Sequence, residues 1–165
     1  MIDTLAVTPH DIATDTWRHN HLGHWLRLAL QRFDARVLEL MARNPGVPLG
    51  LSNLADRGQV GAAHIHITRH LAVEGSRLTD LAQRAGMSKQ AMATLVNQCE
   101  AWGMVQREDD PADARARRVR FTAVGLAWLD AYRVAVLQAE AELAQAVGPE
   151  VATVVGLGLE AYSGA

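Results

Sequence analysis

The stretch from Ser76 to Gly125 most restricts what this chain can fold into, because its apolar spacing switches from helical to strand-like and back. Leu78, Leu81, Ala82 and Ala85 recur at steps of three and four, and a tight break follows at Ala85-Gly86-Met87. Met92, Leu95, Val96, Cys99 and Trp102 then resume the helical step on a second helix that starts at Ser88. Gly103 ends it. Met104 to Glu108 alternates like a strand, and Asp109 to Ala114 reads as a turn. The return strand, Arg117 to Phe121, puts Val119 and Phe121 on one face and Arg118 and Arg120 on the other.

The chemistry of this stretch is divided between its helix and its hairpin. Opposite the apolar side of the second helix lie Gln90, Ala93, Thr94 and Asn97, with Lys89 in the first turn. These short or amide-bearing groups suit the DNA major groove, where Gln and Asn pair bidentately with adenine and small side chains meet thymine methyls. Ser88 is placed to cap the helix, whose N-terminus favours a phosphate. The formal charge of −2 excludes a uniformly basic coat, so any nucleic-acid contact must use uneven charge. Arg115, Arg117, Arg118 and Arg120 are crowded together, whereas beyond Leu126 stand Asp130, Glu140, Glu142, Glu150 and Glu160 against Arg133 alone. Arg115 is expected at the hairpin tip, suited to a narrow minor groove, with Asp113 orienting it.

Supporting helix, break, second helix and hairpin follow in the order of a winged helix-turn-helix. The flanks are expected to be helical. Trp17, Leu22, Trp25, Leu26, Ala29, Phe33, Val37, Leu40 and Met41 form one apolar stripe on a helix from Thr14 to Met41, capped by Thr14 or Asp15 and stopped before Asn44-Pro45-Gly46. The segment 47–61 connects, with one helical turn at Leu51 to Ala55. A helix from Gly61 to Val73 should end at Glu74-Gly75. Thr122 caps a long helix from Ala123 to Val147, Gly148-Pro149 breaks it, and a final helix runs from Glu150 to Tyr162. The first helix carries more apolar surface than one small domain covers, so the terminal helices are the natural dimer element.

With 165 residues, 49% of them apolar, the chain can build a core and is not globally disordered. Its start lacks the basic and apolar pattern of a signal peptide, and no stretch approaches a membrane span, so the expected location is cytoplasmic. The single cysteine, Cys99, fits a reducing compartment and lies among apolar neighbours, which predicts a buried, inert thiol rather than a redox sensor. His19, His21 and His24, and then His64, His66 and His70, raise the question of a metal. They lack carboxylate or cysteine partners at diagnostic spacing, so no metal site and no cofactor are expected. Trp17, His21, Trp25, His66 and His70 are candidates for lining a small-molecule pocket; Trp17, Trp25 and Trp128 could floor it, although such aromatics are more often plain core. No nucleophile elbow, phosphate loop or metalloprotease helix is present, so neither an enzyme nor a catalytic residue is expected.

Leu78-Thr79-Asp80-Leu81-Ala82, Gly86-Met87-Ser88-Lys89-Gln90, Leu95-Val96-Asn97, Gly103-Met104-Val105, Arg107 and the run Asp110 to Thr122 together resemble the MarR family of bacterial transcription regulators. The most specific part is the wing, where Asp113 and Arg115 match the family's Asp-x-Arg signature. The resemblance implies a mainly α fold with a small β-hairpin wing and terminal dimerisation helices. Residues 1–46 and 123–165 would serve dimerisation, and 47–122 would form the DNA-binding module. It implies a homodimeric, ligand-responsive repressor on a pseudo-palindromic operator, with recognition helices about 34–36 Å apart. Double-stranded DNA and a small aromatic effector would be its partners, and no membrane. Ser88, Lys89, Gln90, Thr94, Asn97, Arg115, Arg117 and Arg118 are the expected DNA contacts. Asn97, Gln98 and Cys99 stand where family members often carry an acidic residue, a basic one and leucine, so base preference does not transfer. The alternatives are a winged-helix protein-interaction module without operator binding, marked by absent salt-dependent DNA affinity, and a metal-responsive regulator using histidines.

Overall fold

The computed structural model describes residues 15–48, 50–51 and 61–164. The chain divides into two compact units, Met1–Ala35 and Arg36–Ala165. In the first, a 3-10 turn at Asp15–His19 precedes helix α1 (Leu22–Ala42), which ends in the second unit. The start differs from the expected Thr14. The His24 backbone N–H donates to His21 Nδ1 at 3.2 Å, so His21 caps α1, and Thr14 lies outside the described residues. At the other end the expected stop holds: the Gly46 N–H donates to Asn44 Oδ1 at 2.8 Å. The helical turn expected at Leu51 to Ala55 lies mostly outside the described residues.

Helix α2 (Ala62–His70) is shorter than its sequence pattern suggested, stopping at the Leu71 cap. Gly75 does not end it. That glycine has φ +102° and sits where a Cβ would lie 3.1 Å from the Val119 carbonyl oxygen, so it lets the chain come alongside the wing. There Ser76–Arg77 form β1, a strand too short for alternation to reveal. Helix α3 (Leu78–Arg84) and helix α4 (Lys89–Ala101) follow, separated by Gly86 at φ +62°. β2 (Val105–Asp110) and β3 (Asp113–Phe121) form the wing, and the sheet is three-stranded and antiparallel in the order β1-β3-β2. The expected two-stranded hairpin thus gains a third strand.

Helix α5 (Ala123–Val147) has the predicted bounds. Its Thr122 cap accepts from the Gly125 N–H at 3.1 Å and donates to the Gly103 carbonyl at 2.5 Å, joining the wing's exit to the end of α4. Gly125 is packed so closely that a Cβ would fall 1.9 Å from the Met104 carbonyl oxygen. Leu81, Ile67, Met92, Val96, Met104, Val119 and Trp128 are buried in the second unit. Each large one contributes roughly 1.5–3 kcal/mol by leaving water. Trp128 donates from Nε1 to Thr68 Oγ1 at 3.1 Å, which makes it a satisfied core residue and not a pocket floor.

Helix α6 (Pro149–Ser163) begins with proline in its first turn and has no buried residue. Val151, Val154, Val155, Leu157, Leu159 and Tyr162 are all exposed. On α1, Leu22 and Trp25 are exposed as well, while Val37 and Met41 are buried. No helix among the described residues is long and apolar enough to cross a membrane.

Candidate nucleic-acid interface

The outer face of α4 is built by a cap and a period. Ser88 Oγ accepts the Ala91 N–H at 3.1 Å, which fixes the first turn. Met92, Leu95, Val96 and Cys99 are buried, so the helical repeat turns Lys89, Gln90, Thr94 and Asn97 outward, and all four are exposed. Thr94 Oγ1 donates to the Gln90 carbonyl at 3.2 Å, leaving its lone pairs and methyl outward. Asn97 is engaged: Arg107 on β2 donates from Nη2 to its Oδ1 at 2.6 Å and forms an ion pair with Glu100.

On the wing the arginines fall into two groups. Arg115 is exposed and has no carboxylate partner among the described residues; it lies in β3 at the register shift, between the last regular rung, Asp109 opposite Arg117, and the Asp110–Asp113 pair that closes the turn. Asp113 Oδ1 accepts its backbone N–H at 3.1 Å. Arg117 is exposed with Asp109 at 3.6 Å. Arg118, in contrast, is half-buried and donates to Glu108 at 2.6 Å, and Arg120 lies 3.8 Å from the same carboxylate. Strand register explains this, since Glu108 faces Arg118 and Asp109 faces Arg117 across the ladder.

Two structural partners carried no signal in the sequence pattern. Arg77 on β1 donates from Nε to Asp110 Oδ2 at 2.7 Å and comes within 3.6 Å of Asp113 Oδ2. Asp110 Oδ1 accepts the Ala112 N–H at 2.9 Å. That backbone bond first, and the Arg77 guanidinium second, hold the Asp110 carboxyl below its ordinary value. The wing turn is therefore clamped from β1. A lone arginine before Leu78 falls outside any apolar repeat, so only the third strand reveals its role.

The suggested pocket residues divide between the units. Trp17 and Trp25 are exposed, His21 caps α1, and the His24 ring packs edge-on against Trp25 at 5.3 Å, all in the first unit. In the second unit His66 and His70 stack with ring centroids 6.0 Å apart, and His66 Nδ1 is buried without a hydrogen-bond partner among the described residues. Burial, then His66, Arg69 and Arg84, push the His70 pKa below its ordinary value. Among the described residues no three histidine, cysteine or acidic groups are arranged to hold a metal ion. Cys99 is fully buried, and burial pushes its thiol pKa up to about 12.

A capped helix with a polar outer face, seated on a supporting helix and followed by a clamped hairpin, defines a winged helix-turn-helix protein. Residues 59–116 match the model of the MarR family. No curated protein matches it in sequence. Among solved structures it is similar to CouR from Rhodococcus jostii RHA1 bound to p-coumaroyl-CoA, with TM-score 0.63, 16% identity, and coverage of 87% of this chain and 92% of that one. The repressor CouR bound to a 23-mer DNA duplex gives TM-score 0.63, 18% identity, and coverage of 91% and 96%. MarR from E. coli in its apo form gives 0.62, 21% identity, and coverage of 86% and 96%.

Proposed function

We infer that this chain is a cytoplasmic DNA-binding transcription regulator, acting as a homodimeric, ligand-responsive repressor on a pseudo-palindromic operator. One observation carries the reading. The exposed polar face of α4 and the exposed Arg115, without a carboxylate partner among the described residues, belong to a single module whose turn is held by Arg77. In this reading α4 enters the major groove, Arg115 reaches the adjacent minor groove and Lys89 meets a phosphate. Residues 47–122 form the DNA-binding module, while 1–46 and 123–165 hold two copies together through the exposed apolar residues of α1 and α6. The effector is a small aromatic compound; Trp17, His21 and Trp25 are candidate contacts within the first unit, and His66 and His70 are separate candidates within the second. Support comes from the similarity to CouR, whose solved structures include a DNA duplex and p-coumaroyl-CoA.

The pairing of Arg117, Arg118 and Arg120 with Asp109 and Glu108 favours a second reading. A wing so neutralised would suit a protein-interaction module without DNA affinity. Titrating the protein with genomic operator candidates over a range of salt separates the two, because phosphate contact makes affinity fall steeply with salt and a protein-interaction module has no such slope.

A further inference from the structure

Arg107 joins the recognition helix to the wing in a way that bears on which base is read. Its guanidinium donates to Asn97 Oδ1 at 2.6 Å and to the Glu100 carboxylate, while its backbone N–H donates to Glu100 Oε1 at 3.2 Å. Arginine has donors and no acceptor, so the Asn97 atom facing it must be the oxygen. The side-chain nitrogen, with two N–H donors, then points away from Arg107. Asn97 is exposed, one turn on from Thr94 and two from Gln90 on the outer face of α4.

We propose that Arg107 sets the hydrogen-bonding polarity of Asn97, so that this position reads an acceptor edge, that of guanine, in place of the adenine an unconstrained asparagine would select. Bidentate reading of adenine requires the amide oxygen to accept from N6 while the nitrogen donates to N7. Here the oxygen is held by Arg107, and Arg107 is itself held by Glu100. Guanine offers O6 and N7, both acceptors, to the outward amide nitrogen. Thr94 complements this arrangement. Its hydroxyl hydrogen is committed to the Gln90 carbonyl, which leaves it an acceptor and a methyl group.

The proposal rests on the DNA-binding reading above, and the test separates the two. Full-length wild type, Asn97→Ala and Arg107→Met are each used to select bound duplexes from a randomised library. Wild type should enrich a guanine, once in each half-site, whose replacement by adenine weakens binding about tenfold. Asn97→Ala should lose preference at that position alone, and Arg107→Met should change it to adenine. An unchanged preference in Asn97→Ala overturns the proposal even where Arg107→Met fails to fold, since Asn97 is exposed. So does an adenine in wild type that Asn97→Ala abolishes. Enrichment of no duplex by wild type overturns the DNA-binding reading together with the proposal.

Discussion

Arg77 and Asp110 are joined across the sheet by a 2.7 Å hydrogen bond from guanidinium Nε to carboxylate Oδ2, tying the two-residue strand β1 to the end of β2. The same carboxylate accepts the Ala112 N–H, so one side chain fixes the wing turn from within and from β1. This bond has a pH signature. Asp110 titrates below its ordinary value in the folded chain, so its contribution to stability is present above the unfolded pKa of about 3.9 and is lost as pH falls through the lower folded pKa. Acid denaturation followed by circular dichroism should show stability rising less steeply with pH in Asp110→Asn than in wild type across that window. Identical slopes would contradict the clamp.

Arg115 is the wing cation without a carboxylate partner among the described residues. Replacing it with alanine should weaken operator binding by about 1–3 kcal/mol at fixed salt. Arg118→Ala, which breaks the half-buried pair with Glu108, should instead lower the melting temperature and change DNA affinity less. Equal losses of affinity in the two variants would argue that Arg118 leaves Glu108 to meet DNA.

Gly125 is required by packing. Its added methyl would meet the Met104 carbonyl oxygen at 1.9 Å and the Phe121 ring at 2.9 Å, and backbone cannot swing aside as a flexible side chain can. Gly125→Ala should therefore cost about 1–3 kcal/mol or more of folding stability, measured by urea denaturation. A neutral result would mean that α5 does not start so close to the wing.

The exposed apolar row on α6 predicts association. Leu157→Asp should convert the proposed dimer to a monomer in sedimentation velocity, because it places a charge in the exposed apolar surface through which two copies are proposed to associate. A variant that stays dimeric would place the interface elsewhere.

Much of this architecture was legible because the signals were local. Ser88 and Thr122 announced their caps, Gly103 and Gly148-Pro149 their breaks, and the buried side of α4 followed from its three-and-four spacing. Non-local features were hidden. β1 is only Ser76–Arg77, so its pairing with Val119 and Arg118 depends on chain segments far apart in sequence. The early end of α2 follows from that same pairing, since Gly75 turns the chain into β1. Counting the wing arginines likewise overstated its free charge, because the ladder sets Glu108 and Asp109 opposite Arg118 and Arg117.

The central claim, that the polar face of α4 and the wing hold DNA, is tested most directly by measuring operator affinity against salt for wild type and Arg115→Ala. The account predicts that the logarithm of affinity falls linearly with the logarithm of salt concentration, and that Arg115→Ala makes the slope shallower by about one unit for each arginine removed from the complex. Affinity that does not change with salt, or a slope identical in the two proteins, would contradict it.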